Sequence, residues 1–282
     1  MVSMEDFGSF ETAWCPGCGN HSILKCVKQA LVQMDLEPHQ CIFVSGIGQA
    51  AKSPHYMRTN VYNGLHGRAL PAATGIKLAN PQAVVIAQSG DGCNYGEGGN
   101  HFLAALRRNI NITLLAHDNQ IYGLTKGQAS PTTARGQKTK AQPAGNPSEA
   151  FNPVGVAVAM QAGMVARGFA GMQDHLTEMI VKAVQHQGFS LVDILQPCVS
   201  FNKVNTFAWY KERCYIPDNH DPQNWEQAMA LSRQWDEGIP LGVIYQSHKP
   251  TFEESLPHPT GEPLFNNRPS TEKLNEIMSS FA

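Results

Sequence analysis

The chain has 282 residues, 42% of them hydrophobic and 16% charged, with a formal net charge of −2. That is enough apolar material for one large α/β core, and charge below the ~25% of average globular chains suggests a surface partly covered by another subunit. A pI near 6.6 with scattered Lys and Arg argues against nucleic acid as a partner.

No apolar stretch approaches the ~20 residues that cross a bilayer, and residues 1–10 lack the form of an export signal, so a cytoplasmic protein without a membrane partner is expected. In chain order, Cys15-Pro-Gly-Cys18 precedes a helix expected over 20–34. Apolar runs ending in glycine at 41–47 and 83–90 read as buried parallel strands, as do 112–116 and 190–195, with a further strand over 61–65. Helices are expected over 70–79, 100–109, 154–167 and 173–187 from apolar residues at three- and four-residue spacing. Strand–helix alternation predicts an α/β, doubly wound, mainly parallel sheet. Residues 128–153 are rich in Ser, Thr, Gly, Pro, Lys and Gln, the composition of a long functional loop. The expected division is one domain over 1–250 and a C-terminal arm over 251–282.

Unusual residues fall where strands end. Gly90-Asp91-Gly92 closes one strand, and Asp118-Asn119 closes the next after 25 intervening residues, 93 to 117. Ligands of open α/β sheets sit beyond such carboxyl ends. Mg²⁺ takes octahedral oxygen ligands, normally one or two protein groups plus substrate phosphates. Asp91 and Asn119 supply two, and the carbonyl of Ile121 a third. Gly98-Gly99-Asn100 would let the backbone approach a diphosphate closely.

This spacing resembles the thiamine-diphosphate motif, in which Gly-Asp-Gly is followed some two dozen residues later by Asn-Asn, here Asp118-Asn119. Trp14-Cys-Pro-Gly-Cys-Gly-Asn20, Val44-Ser-Gly-Ile-Gly48, His66-Gly-Arg-Ala69, Gly75-Ile-Lys-Leu-Ala-Asn-Pro81, Arg107-Arg-Asn109, Tyr122-Gly-Leu-Thr-Lys-Gly-Gln128 and Ser130-Pro-Thr-Thr133 extend the resemblance to about residue 213. Together they resemble the β subunit of 2-oxoacid:ferredoxin oxidoreductases.

The resemblance implies a thiamine-diphosphate-binding fold, Mg²⁺ and a [4Fe-4S] cluster. It also implies oxidative decarboxylation of a 2-oxoacid to an acyl-CoA, with electrons passed to ferredoxin or flavodoxin. The catalytic carboxylate belongs to a partner α subunit, so none is assigned on this chain, and an α₂β₂ or larger assembly is expected. The compact chain is most like those of the enzymes built from two kinds of subunit, which favours 2-oxoglutarate or a broad range of acids over pyruvate alone. Cofactor contacts are implied for Ser45, Gly46, Ile47, Gly48, His66, Gly90, Gly92, Gly123, Leu124, Thr125 and Lys126 beside the three metal ligands. Coenzyme A and the 2-oxoacid are the substrates.

Seven cysteines without an export signal favour metal or redox chemistry over disulfides. Cys15 and Cys18 can face one metal centre, iron–sulfur or zinc. Cys198 matches another cluster ligand of the family. The family's remaining cysteine follows Ser-Gly-Ile-Gly, where this chain has Gln49. The family's Gly-Asp-Gly is followed by Asp, where this chain has Cys93. Because the two loops are written alike on expected neighbouring strands, the fourth thiolate is expected to have moved to Cys93, with Cys214 in reserve. Cys26 and Cys41 read as core thiols. The competing readings are a non-oxidative thiamine enzyme, which has no need of the cysteines, and a zinc-stapled binding module, which leaves Asp91 and Asn119 unexplained.

Overall fold

The computed structural model describes residues 1–256, 261–266 and 269–281. Six parallel strands, β1 (Cys41–Ser45), β2 (Asn60–Asn63), β3 (Val84–Gly90), β4 (Thr113–Asp118), β5 (Met164–Phe169) and β6 (Ser190–Leu195), build the main sheet. A short pair, β7 (Cys214–Tyr215) and β8 (Ile239–Pro240), stands apart, and β9 (Gly242–Gln246) closes the main sheet antiparallel to β5. The strand order is β2-β1-β3-β4-β6-β5-β9.

The helices are α1 (Gly19–Gln33), α2 (Ala69–Ala79), α3 (Gly99–Arg108), α4 (Pro153–Ala159), α5 (Gln173–Gln185), α6 (Phe207–Arg213), α7 (Trp225–Ser232) and α8 (Thr271–Ser280). Alternate strand residues face opposite layers, as a pleated strand requires. Val85, Ala87, Leu114 and Leu191 pack with α2, α3, α4 and α7, while Ile86, Leu115 and Val192 pack with α1 and α5. The doubly wound expectation holds. Among the described residues no helix is long and apolar enough to cross a membrane.

The chain leaves β1 for the outer strand β2 and returns through α2 to β3 on the other side of β1. Such a reversal opens a crevice at the carboxyl ends of β1 and β3, where ligands of these sheets bind.

Two elements differ from expectation. The helix expected over 154–167 stops at Ala159, Gln161 takes a left-handed φ of 52°, and residues 164–169 form β5 instead. Pairing of Met164 through Phe169 with β6 buries this segment on both faces, and that tertiary environment overrides an apolar run equally compatible with helix. The body also continues past 250. Phe252 packs on the core, Asn111 N–H donates to Glu253 Oε1 at 3.1 Å, and Thr251 is buried. In the expected arm, α8 leaves Leu274, Ile277, Met278 and the following Phe281 exposed; positions 257–260, 267–268 and 282 of that arm lie outside the described residues.

Asn109 ties the arm's root to the sheet. It ends α3 at a left-handed φ of 53°, accepts from Phe189 N–H at 3.0 Å, and donates to the carbonyls of Lys249 and Pro250 at 3.1 and 3.2 Å. Alanine would lose those bonds and the tolerance for the left-handed region. Asn109→Ala is therefore expected to lower the unfolding free energy by about 3 kcal/mol, read from urea denaturation against the wild type.

Candidate cofactor site

Three loops meet at the crevice, following β1, β3 and β4. They enclose a cleft of about 350 Å³ lined by Ile47, Gly48 and Gln49, by Gly90, Asp91, Gly92 and Cys93, and by Asn119, Ile121, Gly123, Leu124 and Thr125, with His66 and Glu97 at its side. A second cleft of about 370 Å³ adjoins it through Ile47, Gly48 and Leu124, and carries Lys52 and His55.

The first loop is held open by polar anchors. Gly46 N–H donates to Ser89 Oγ at 2.9 Å, and Asn63 Nδ2 donates to Ser45 Oγ and to the Gly46 carbonyl at 2.8 and 2.7 Å. Gly48 has φ 133°, and a Cβ built there meets nothing within 4 Å, so bare backbone faces the cleft. At Gly92 the reason for glycine is contact: a Cβ would lie 2.1 Å from the Tyr122 ring. His66 bridges the two loops, with Nδ1 3.2 Å from the Ile47 carbonyl and Nε2 2.6 Å from Glu97 Oε2.

Asp91 is 2% exposed at the base of the cleft. The Thr132 hydroxyl lies 2.7 Å from Asp91 Oδ2 and 2.7 Å from Asp118 Oδ1. One hydroxyl proton serves one acceptor, so the second contact needs a proton on one of the two carboxyls. Burial, with Asp193 and Asp91 nearby, pushes Asp118 well above the usual carboxylate range, whereas burial raises Asp91 to about 6. Both carboxyls are thus pushed up by burial, and the Thr132 hydroxyl joins them across the base of the cleft. The buried cation behind them, Arg167, lies against Asp193 at 3.8 Å, and Tyr95 O–H donates to Asp193 Oδ1 at 3.0 Å. Asp91 is thus a buried carboxylate whose neighbours are hydroxyl and amide groups rather than a cation, beside bare backbone fit for phosphate. This donor set fits a diphosphate held through a divalent cation.

Asn119 turns tightly, its Oδ1 accepting from Ile121 N–H at 3.0 Å, and so brings Asn119 and Ile121 to the same cleft as Asp91. Lys126 does not line it: its φ of 68° belongs to the turn closed by Lys126 N–H on the Gly123 carbonyl at 3.1 Å. Ser45 lies beneath the loop as an anchor. Thr132 carries no signal of this role in the sequence; it comes from the loop over 128–153, in which Ser130, Thr132 and Thr133 are buried.

Cys15, Cys18 and Cys198 line a separate cavity of about 50 Å³ with Asn20, Gln49, Asn119, Gly123 and Gln196. Ser200 O–H donates to Cys15 Sγ at 3.0 Å and Gln196 Nε2 to Cys18 Sγ at 3.5 Å. Burial pushes the Cys18 thiol up to about 11. Three polar atoms of this lining, Gln49 Oε1, Gln196 Oε1 and Asn20 Nδ2, are buried without a hydrogen-bond partner. Among the described residues no three His, Cys, Asp or Glu side chains converge closely enough to hold a single metal ion.

The expected fourth thiolate is not at this cavity. Cys93 accepts the Gly67 N–H at 3.2 Å, and its sulfur sits so near Gly46 that a Cβ there would be 2.4 Å away. The physical reason is the path after each strand. Residues 46–49 lead into a 3₁₀ turn (Ala50–Tyr56), whereas Gly92–Glu97 winds as a π-helical turn that carries Cys93 under the glycines of the first cleft. Gln49 holds the corner instead, fixed by Trp14 Nε1, which donates to its carbonyl at 2.9 Å. Cys214, the reserve ligand, lies in the apolar cluster of Phe169, Leu195 and Tyr210, where burial pushes its thiol up to about 12. Cys26 and Cys41 are core thiols, as expected.

Residues 42–194 match the family model for the C-terminal TPP binding domain of thiamine pyrophosphate enzymes, and residues 198–260 match that for the C-terminal region of the pyruvate ferredoxin oxidoreductase beta subunit. The 2-oxoacid:ferredoxin oxidoreductase subunit beta of Sulfolobus sp is 44% identical over 86% of this chain and 85% of that protein. The chain belongs to this β-subunit family. The 2-oxoacid:ferredoxin oxidoreductase 1, subunit beta, of Aeropyrum pernix is 41% identical over 93% of this chain and 86% of its own length. In solved structures, the 2-oxoglutarate:ferredoxin oxidoreductase from Magnetococcus marinus, with 2-oxoglutarate, coenzyme A and succinyl-CoA bound, superposes with a TM-score of 0.91. It is 33% identical, covering 99% of this chain and 96% of that one. This β subunit is therefore an oxidoreductase component built on a thiamine-diphosphate enzyme domain.

Proposed function

We propose that this β subunit binds thiamine diphosphate through Mg²⁺ and, with an α subunit, oxidises a 2-oxoacid to an acyl-CoA, delivering electrons to ferredoxin or flavodoxin. The carrying observation is a shared wall. Gln49, Asn119 and Gly123 line both the diphosphate cleft and the three-cysteine cavity, so the two sites are separated by one layer of residues. A non-oxidative thiamine enzyme has no use for that second site, and a zinc-stapled module has none for the first.

Thiamine diphosphate, when bound, supplies the chemistry that releases carbon dioxide from a 2-oxoacid. Asp91, Asn119 and the Ile121 carbonyl would hold the cation. Thr132 orients Asp91 by occupying one of its oxygens and leaving the other for metal. Gly48 lets backbone approach the phosphates, Gly90 and Gly92 line the same cleft with Gly92 making room for the Tyr122 ring, and His66 fixes the Ile47 loop through its bridge to Glu97. In the adjoining cleft, the Lys52 ammonium offers a positive partner for the substrate's carboxylates, which suits 2-oxoglutarate, the acid bound in the Magnetococcus marinus enzyme. Cys15, Cys18 and Cys198 would hold an iron–sulfur centre, which supplies one-electron chemistry there.

The cleft contains no glutamate placed to activate a pyrimidine ring among its lining residues except Glu97, which is engaged by His66 and Tyr122. That function is assigned to the α subunit, in an α₂β₂ or larger assembly. The isolated chain, loaded with cofactor and assayed anaerobically with 2-oxoglutarate, coenzyme A and ferredoxin, is expected to show no turnover, and activity is expected on adding α. Turnover by the purified chain alone would contradict this division.

A further inference from the structure

We infer that Gln49 is the fourth position of the three-cysteine site, so that an iron–sulfur cube held there has one iron without a thiolate. The inference rests on the proposed iron–sulfur centre and concerns how this chain holds it.

Three observations converge on the same corner. Cys15, Cys18, Cys198 and Gln49 line one cavity. Gln49 is fixed at its backbone by the Trp14 indole N–H, on the residue preceding Cys15, while its Oε1 is buried and accepts no hydrogen bond. Cys93, the other sulfur near the β1 and β3 loops, is turned to the Gly67 N–H beneath Gly46. The lining therefore offers three thiolates and two unpartnered carboxamide oxygens; Gln196 is already tied to Cys18 through its Nε2, which leaves Gln49 as the free fourth corner, where four thiolates are usual for such a cube.

The difference has a chemical consequence. A neutral carboxamide oxygen is a hard, weak ligand for iron bonded to sulfide, while thiolate is soft and charged. The iron facing Gln49 is then the one released when the cube is oxidised. A one-electron oxidant such as ferricyanide takes one electron from the [4Fe-4S]²⁺ form and becomes ferrocyanide. The products are [3Fe-4S]⁺ and Fe²⁺; all four sulfides and the three cysteine bonds remain. The iron bond to Gln49 Oε1 and those to the sulfides of the departing corner break.

The full-length chain, loaded anaerobically with iron and sulfide, is titrated with ferricyanide and followed by iron content and electron paramagnetic resonance. Wild type is expected to lose one iron per chain and develop the three-iron signal. Gln49→Cys is expected to retain that iron and give no such signal, and Cys93→Ala is expected to behave as wild type. Retention of all iron by wild type on oxidation would overturn the inference while leaving the iron–sulfur centre in place, as would loss of one iron by Gln49→Cys equal to that of wild type. If Cys93→Ala alone changes the iron content of the reduced protein, Cys93 is the ligand and Gln49 is not. Absence of iron–sulfur absorbance from loaded wild type overturns the centre itself, and this inference with it.

Discussion

Asp91→Ala is expected to abolish Mg²⁺-dependent retention of thiamine diphosphate while leaving the chain folded. The side chain lies beyond β3, at the base of the cleft, with no cation paired to it, since the buried Arg167 lies against Asp193. Changes to groups that merely support a metal ligand cost about 10–100-fold in affinity, so removal of the charged ligand itself is expected to cost more than about 100-fold. Calorimetric titration of the cofactor with and without Mg²⁺ measures it, and circular dichroism checks the fold. Unchanged affinity would mean that the Gly-Asp-Gly turn does not hold the cation. The same titration on Thr132→Val separates orientation from charge, because Asp91 remains present; a smaller loss is expected there.

Cys198→Ser is expected to remove the visible iron–sulfur absorbance and essentially all ferredoxin reduction by the complex, with cofactor affinity unchanged. Cys198 follows β6, whereas Cys15 and Cys18 precede α1, so it is the thiol that closes the cavity from the sheet side. Its loop touches the diphosphate cleft only through the shared wall, which the substitution leaves intact. Anaerobic absorbance and cofactor titration on one preparation give both readouts. Loss of cofactor binding together with the absorbance would show that the two sites fold as one unit.

The sheet was legible where chemistry and burial coincide in short runs. Phe43, Ile86 and Leu115 sit in apolar stretches bounded by glycine or Asp-Asn, and all three lie in strands. The strand β5 was hidden because the apolar residues of α4 continue into it with little punctuation except Gln161 and Gly163, and pairing with β6 decided the matter. Asp91 and Asn119 could be found because their spacing spans one loop, helix and strand. Thr132 could not, since a threonine in a polar loop carries no sign that it will be buried between two aspartates. The similarity of Ser45-Gly-Ile-Gly-Gln49 and Ser89-Gly-Asp-Gly-Cys93 misled for a related reason: strand neighbours share a direction only to the strand's end, and after the 3₁₀ and π turns that follow, residues 49 and 93 both line the first cleft but only residue 49 also reaches the cysteine cavity. Gln49 drew notice only as an absent cysteine, although it lines that cavity with a side-chain oxygen that is buried without a hydrogen-bond partner.

The coupling of the two cavities across Gln49, Asn119 and Gly123 is tested most directly by the anaerobic complex with α, loaded with thiamine diphosphate and given a 2-oxoacid without any electron acceptor. The expected result is bleaching of the iron–sulfur absorbance that requires both the 2-oxoacid and thiamine diphosphate. Release of carbon dioxide with the absorbance unchanged would contradict the account, because the cofactor cleft would then act without passing electrons to the cysteine site.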